Sequence, residues 1–172
     1  MDIPALALGQ APVAAELLGV GNCGEHAAMA FCLANTLPFP PGAKIWYVDL
    51  NMHPSEDPAA PIVPFTDHAF IAIGYPDDPE RIVVVDAWQM GAQACYAKDC
   101  NFPFLLMWPV LYGITPRAVE ITPNGIDYLA AARGFVDTDF LANRMDTTGP
   151  AVPSEYFADI PRMYDHWWLR PS

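Results

Sequence analysis

Basic residues are scarce in this chain, with 8 Lys and Arg against 20 Asp and Glu and a formal charge of −12. Such a balance repels phosphate backbones and anionic bilayer surfaces, so nucleic acid is excluded as a natural partner. Long apolar runs are missing too. No stretch approaches the roughly 20 residues that a membrane-spanning helix needs. The opening Met1-Asp2-Ile3-Pro4 carries no basic patch of the kind that starts a secretory signal peptide, which leaves a non-cleaved route of export as the expectation. Cysteines number 4, with no Cys-x-x-Cys and no Cys/His spacing suited to zinc. Cys23 and Cys32 fall within one expected helix and cannot pair with each other, whereas Cys95 and Cys100 flank a short loop that a disulfide could close. Thiols left free point to a reducing compartment, or to delivery into one.

What the chain has is apolar residues and proline. At 172 residues and 53% hydrophobic it can bury one proper core, and a single domain is expected. Its 19 prolines concentrate in connections such as Pro38 to Pro41 and Pro54 to Pro64, implying long ordered loops between short elements. Residues 5–18 read as one helix or as two short ones broken between Gly9 and Pro12. Gly21-Asn22-Cys23-Gly24-Glu25-His26-Ala27 then leads into an Ala-rich apolar helix, over Cys23 to Asn35, that Pro38 ends. A cysteine there sits at a helix N-terminus, where orphan N–H groups favour the thiolate, the nucleophilic form. A small apolar residue in a buried helix is the plainer use of the same position.

Lys44 to Leu50 is rich in strand formers. Thr66 to Gly74 and Arg81 to Asp86 form two more apolar runs around a Pro-Asp-Asp-Pro turn, the pattern of a hairpin joined near residues 76–79. An antiparallel pair so joined brings the start of the first strand beside the end of the second. His68 and Asp86 therefore become neighbours at one end of the sheet. Separately, a strand-end histidine and a turn-initiating acid are common; together, a carboxylate fixes the tautomer of an imidazole whose other nitrogen faces a nucleophile. Beyond residue 90 the pattern thins to an apolar Phe102 to Tyr112, a short strand at Val119 to Ile121, a helix over Ile126 to Arg133 closed by Gly134, and short helices over Asp139 to Met145 and Ser154 to Met163. The aromatic Tyr164 to Leu169 needs a surface to dock on.

Gly21 to Ala27, Asp67-His68-Ala69-Phe70-Ile71 and Val83-Val84-Val85-Asp86-Ala87-Trp88 resemble the three motifs of the papain-fold toxin and effector cysteine hydrolases of bacteria, the group that includes the deamidating domain of the Pasteurella multocida toxin. The similarity covers residues 20–90. It implies an α+β, papain-like fold in which a catalytic helix packs on a small antiparallel sheet, with further short helices in the C-terminal half. It implies a triad of Cys23 as nucleophile, His68 as general base and acid, and Asp86 orienting the imidazole. An oxyanion hole needs a donor besides the nucleophile's own N–H. Gln89 is the first candidate and Asn22 the second. Trp88 is expected to roof the histidine; His26 is too close in sequence to Cys23 to share its geometry, and His53 and His166 have no carboxylate predicted to orient them. The implied reaction is deamidation of a glutamine side chain, without cofactor or metal, on a protein of a target cell's cytosol reached by secretion or injection. A dedicated chaperone or inhibitor protein is compatible with that route. A site-specific protease uses the same triad, and a binding module that keeps the fold without activity is the non-enzymatic alternative.

Overall fold

A computed structural model describes residues 3–18, 21–49, 68–87, 93–99, 117–134 and 158–159. Helix α1 (Ile3–Leu18) is continuous. Of the two readings of residues 5–18, the single helix is the one found: Pro12 is carried inside it, which tertiary packing sustains at the cost of one backbone hydrogen bond. Gly9 is what permits that packing. A Cβ there would lie 2.7 Å from the Tyr128 carbonyl oxygen, so only glycine allows α1 to approach helix α3 (Tyr128–Arg133) this closely.

Helix α2 (Cys23–Asn35) follows, with the boundaries that its sequence suggests. Asn22 is its N-cap, and the capping box is complete: Asn22 Oδ1 accepts from the Gly24 N–H at 2.8 Å, and Glu25 Oε2 accepts from the Asn22 N–H at 2.9 Å. Strands β1 (Lys44–Asp49), β2 (Ala69–Tyr75), β3 (Asp78–Asp86), β4 (Gln93–Tyr96), β5 (Arg117–Ile121) and the two-residue β6 (Ala158–Asp159) make one antiparallel sheet in the order β4-β3-β2-β1-β5-β6. Several of these differ from the sequence reading, β5 by starting two residues early, at Arg117. β3 begins three residues early, at Asp78. The short, polar β4 has no apolar alternation to announce it. Ala158–Asp159 pair with Arg117 and Ala118 as a strand, where a helix over Ser154 to Met163 was expected. The segments 54–64, 102–112, 139–145 and 164–169 lie outside the described residues.

Alternation along the strands sorts the side chains. Ile45 and Tyr47 of β1, Ala69 and Ile71 of β2, and Val119 and Ile121 of β5 meet Ala27, Ala28, Phe31 and Cys32 of α2 in one core, joined by Leu8, Val13 and Tyr128. Phe31 is fully buried, which contributes roughly 1.5–3 kcal/mol, and it meets Tyr47 edge to face at 6.5 Å. Trp46, Val48, Phe70, Ala72 and Val84, which alternate to the opposite face, are buried as well. At the C-terminal end of α2, Asn35 is fully buried and satisfied. Its Nδ2 donates to Asn124 Oδ1 at 2.8 Å and to the Ile126 carbonyl at 2.7 Å, and its Oδ1 accepts from the Asn124 N–H at 3.0 Å. This latch ties α2 to the loop that leads into α3, so the helix is held at both ends. The result is a mixed α+β molecule whose central helix starts at the cysteine.

Candidate functional site

Cys23 is the first residue of α2, placed there by the Asn22 cap and the Glu25 return bond. The Tyr47 hydroxyl of β1 lies beside this first turn, 3.5 Å from where a Cβ on Gly24 would sit, an ordinary contact distance. Glu25, in the first helical turn, complements the helix dipole, and the Asn-x-x-Glu spacing is the capping-box signal that accounts for its hydrogen bond.

The hairpin does what its pattern requires. Ile71 pairs with Val85 and Ile73 with Val83, a register that sets the start of β2 beside the end of β3. The register shifts between Ile73 and Tyr75, where a Cβ on Gly74 would come within 2.9 Å of Ile82 Cα. Glycine at that point lets the two strands close on each other before the turn. At the far end, His68 Nε2 and Asp86 Oδ2 are 2.8 Å apart, with His68 only 7% exposed and Asp86 fully buried. Among the described residues these two and Asn35 are the buried polar or charged side chains. His68 is also hydrogen-bonded to the Cys23 side chain. With Nε2 held by Asp86, the ring nitrogen left for the cysteine is Nδ1. The imidazole stacks near Phe70, at 6.4 Å between ring centres and 25° between planes, which restrains its rotation.

Electrostatics follow from this geometry. Burial pulls the His68 pKa down, but the hydrogen bond to Asp86, the hydrogen bond to Cys23 and the charges of both together outweigh it. They raise the value from 6.5 to about 9. His68 is thus an imidazolium at neutral pH, held between a carboxylate and a sulfur. Cys32, two turns further along the same helix, shows the opposite situation. Burial, and then the nearby Asp127, push its thiol up to about 12.

Cys23, His68 and Asp86 are therefore brought together as their spacing suggests. Asn22 is placed as the helix cap, next to the nucleophile position. His26 is exposed on the first turn of α2, its Nδ1 2.8 Å from the Asn22 carbonyl oxygen. Gln89, Trp88, His53, His166 and Cys100 lie outside the described residues. Cys95 carries a free thiol. Among the described residues no group of three His, Cys, Asp or Glu is arranged to hold a metal ion, and no helix is long and apolar enough to cross a membrane. Gln93 is a residue that the sequence did not single out: it is the cross-strand partner of Asp86 on β4, a strand too short and too polar to be read from pattern. Set against known protein families, curated proteins and solved structures, the chain matches none.

Proposed function

We propose that this chain is a thiol hydrolase in which Cys23, His68 and Asp86 act as a triad, and that it deamidates a glutamine side chain of a target protein. The observation that carries the reading is the position of His68, hydrogen-bonded to Asp86 on one side and to Cys23 on the other within a buried site. A structural histidine needs one partner; one held between a buried carboxylate and a thiol at a helix start has the arrangement of a general acid and base. The order of elements, a helix opened by the cysteine followed by antiparallel strands carrying the histidine and the acid, agrees with the papain-like reading of the fold.

The chemistry runs in two steps. The Cys23 sulfur attacks the carboxamide carbon as a thiolate, and His68 gives its proton to the departing nitrogen. The C–N bond breaks, ammonia leaves, and a thioester to Cys23 remains. Neutral His68 then takes a proton from water, whose oxygen attacks the thioester. The C–S bond breaks, and glutamate leaves with the thiolate restored. Asp86 holds the ring in place and stabilises its positive form throughout. The Cys23 N–H and a side-chain donor, for which Gln89 and Asn22 remain the candidates, would receive the developing oxyanion.

Deamidation is preferred to proteolysis on the resemblance of the three motifs; the burial of Cys23 and His68, at 8% and 7% exposed, shields the ion pair from water in either reaction. Action on a target-cell protein after secretion or injection by a bacterium belongs to the same proposal. The test is mass spectrometry of candidate proteins incubated with wild type and with Cys23→Ala. A gain of about 1 Da at a glutamine, absent with the variant, supports deamidation, because a carboxamide becomes a carboxylate. New chain ends would mean a protease instead, and no covalent change in any candidate counts against the hydrolase.

A further inference from the structure

Between α1 and the first turns of α2 lies a cavity of about 330 Å³ that the triad does not use. Pro12, Ala15 and Met29 give it apolar walls, each helix contributes one carboxylate, Glu16 from α1 and Glu25 from α2, and the His26 imidazole, whose Nδ1 lies 2.8 Å from the Asn22 carbonyl oxygen, lines it beside them. Gly21 also lines it, so the cavity borders the loop that carries the nucleophile. Its volume is at the small end for ligand sites, enough for one long side chain and too little for a nucleotide-sized cofactor. Both carboxylates are already oriented: Glu16 Oε2 accepts from Arg133 Nη2 at 3.1 Å, and Glu25 Oε2 accepts from the Asn22 N–H at 2.9 Å. A carboxylate offers about four acceptor positions, so each keeps capacity for a further donor.

We propose that this cavity is a specificity subsite which takes a lysine or arginine side chain of the target protein, close to the amide that Cys23 attacks. The occupant is chosen by chemistry. An aliphatic stem of three or four carbons fits apolar walls, and a cationic head then meets carboxylates supplied by both helices. The chain's charge of −12 adds a long-range preference for a basic target surface. As a substrate subsite it rests on the hydrolase reading; as a cation-binding cavity it does not.

Two measurements separate these. The full chain with 13C-methyl methionine is titrated with Nα-acetyl-arginine methylamide and with its norleucine counterpart, and the Met29 methyl resonance is followed. The expected result is a saturable shift with the arginine compound, unchanged in Cys23→Ala, at least tenfold weaker in Glu16→Gln/Glu25→Gln, and absent with norleucine. Gln at position 25 retains the acceptor of the capping box, and an unchanged circular dichroism spectrum certifies the double variant. No shift, or equal shifts for both compounds or for wild type and double variant, overturns the subsite. In the second measurement, glutamine peptides with Arg, Lys, norleucine or Glu at each flanking position are assayed for ammonia release. At least one position should favour Arg or Lys over norleucine by tenfold or more in kcat/KM, with the preference lost in Glu16→Gln. Hydrolysis without that preference rejects the subsite and leaves the hydrolase standing. Arginine binding at Met29 without hydrolysis of any peptide does the reverse.

Discussion

Helix α2 carries two buried cysteines, and they differ in everything except burial. Cys23 opens the helix beside His68 and Asp86, whereas Cys32 is 1% exposed among Ala28, Phe31 and the sheet, with Asp127 as its charged neighbour. Low dielectric disfavours the thiolate, and a nearby carboxylate disfavours it further, so the Cys32 pKa is pushed up to about 12 and the sulfur stays a thiol at neutral pH. What distinguishes Cys23 is the imidazolium supplied by the hairpin. Under the proposed function, it is these partners, and not the helix that both cysteines share, that set Cys23 apart.

The sharpest way to break the contrast is to exchange the roles of the two sulfurs by deletion. Cys23→Ala should abolish amide hydrolysis, a loss of about 10⁴-fold or more if the sulfur is the nucleophile, measured as ammonia release. Cys32→Ala should leave activity within about twofold while costing roughly 1–2 kcal/mol of stability, from the small cavity it creates. Asp86→Asn comes next, with a loss of about 10³–10⁴-fold, since the amide mis-orients the ring and no longer stabilises its charge. It should also bring the His68 pKa down from about 9, visible by NMR titration. An Asp86→Asn protein that keeps full activity would remove the carboxylate from the account.

At the other end of α2, Asn35→Ala should cost roughly 1–3 kcal/mol, because it removes the fully buried amide that bonds the Ile126 carbonyl and the Asn124 N–H. The thermal midpoint reads this. Alkylation of Cys23 in the folded variant should not change, which separates a helix anchor from a participant in chemistry. The smallest effect is that of pH. The His68 pKa is raised on folding, so its contribution to stability is fully present below about 6.5 and is lost as pH rises through about 9. Wild type should therefore lose more stability than Asp86→Asn across that window, as measured by denaturant midpoints. Activity should fall above pH 9 as the proton needed by the leaving nitrogen disappears.

Much of the site is legible in the sequence because local chemistry specifies it. Gly21-Asn22 and Glu25 mark the helix start, Pro38 lies just past its end, and two apolar runs around Pro76-Asp77 fix the hairpin that joins His68 to Asp86. The parts that were not legible depend on distant partners. Asn35 looks like an ordinary C-terminal helix residue until Asn124, 89 positions later, closes its hydrogen bonds. Pro12 seems to break α1, yet packing of Gly9 against Tyr128 carries the helix through it. The strand β4 offers only Gln93-Ala94-Cys95-Tyr96, with no alternation, and exists because β3 presents an edge for it to pair with. The cavity between α1 and α2 is likewise a product of how two helices pack, which no spacing within either one encodes.

The most direct test is the rate at which iodoacetamide labels Cys23 and Cys32 in the same folded molecule at pH 7, resolved by peptide mass spectrometry, in wild type and in His68→Gln. The account predicts that Cys23 reacts at least tenfold faster than Cys32 and that His68→Gln removes most of the difference. Equal rates for the two cysteines, or a fast Cys23 indifferent to the loss of His68, would contradict it.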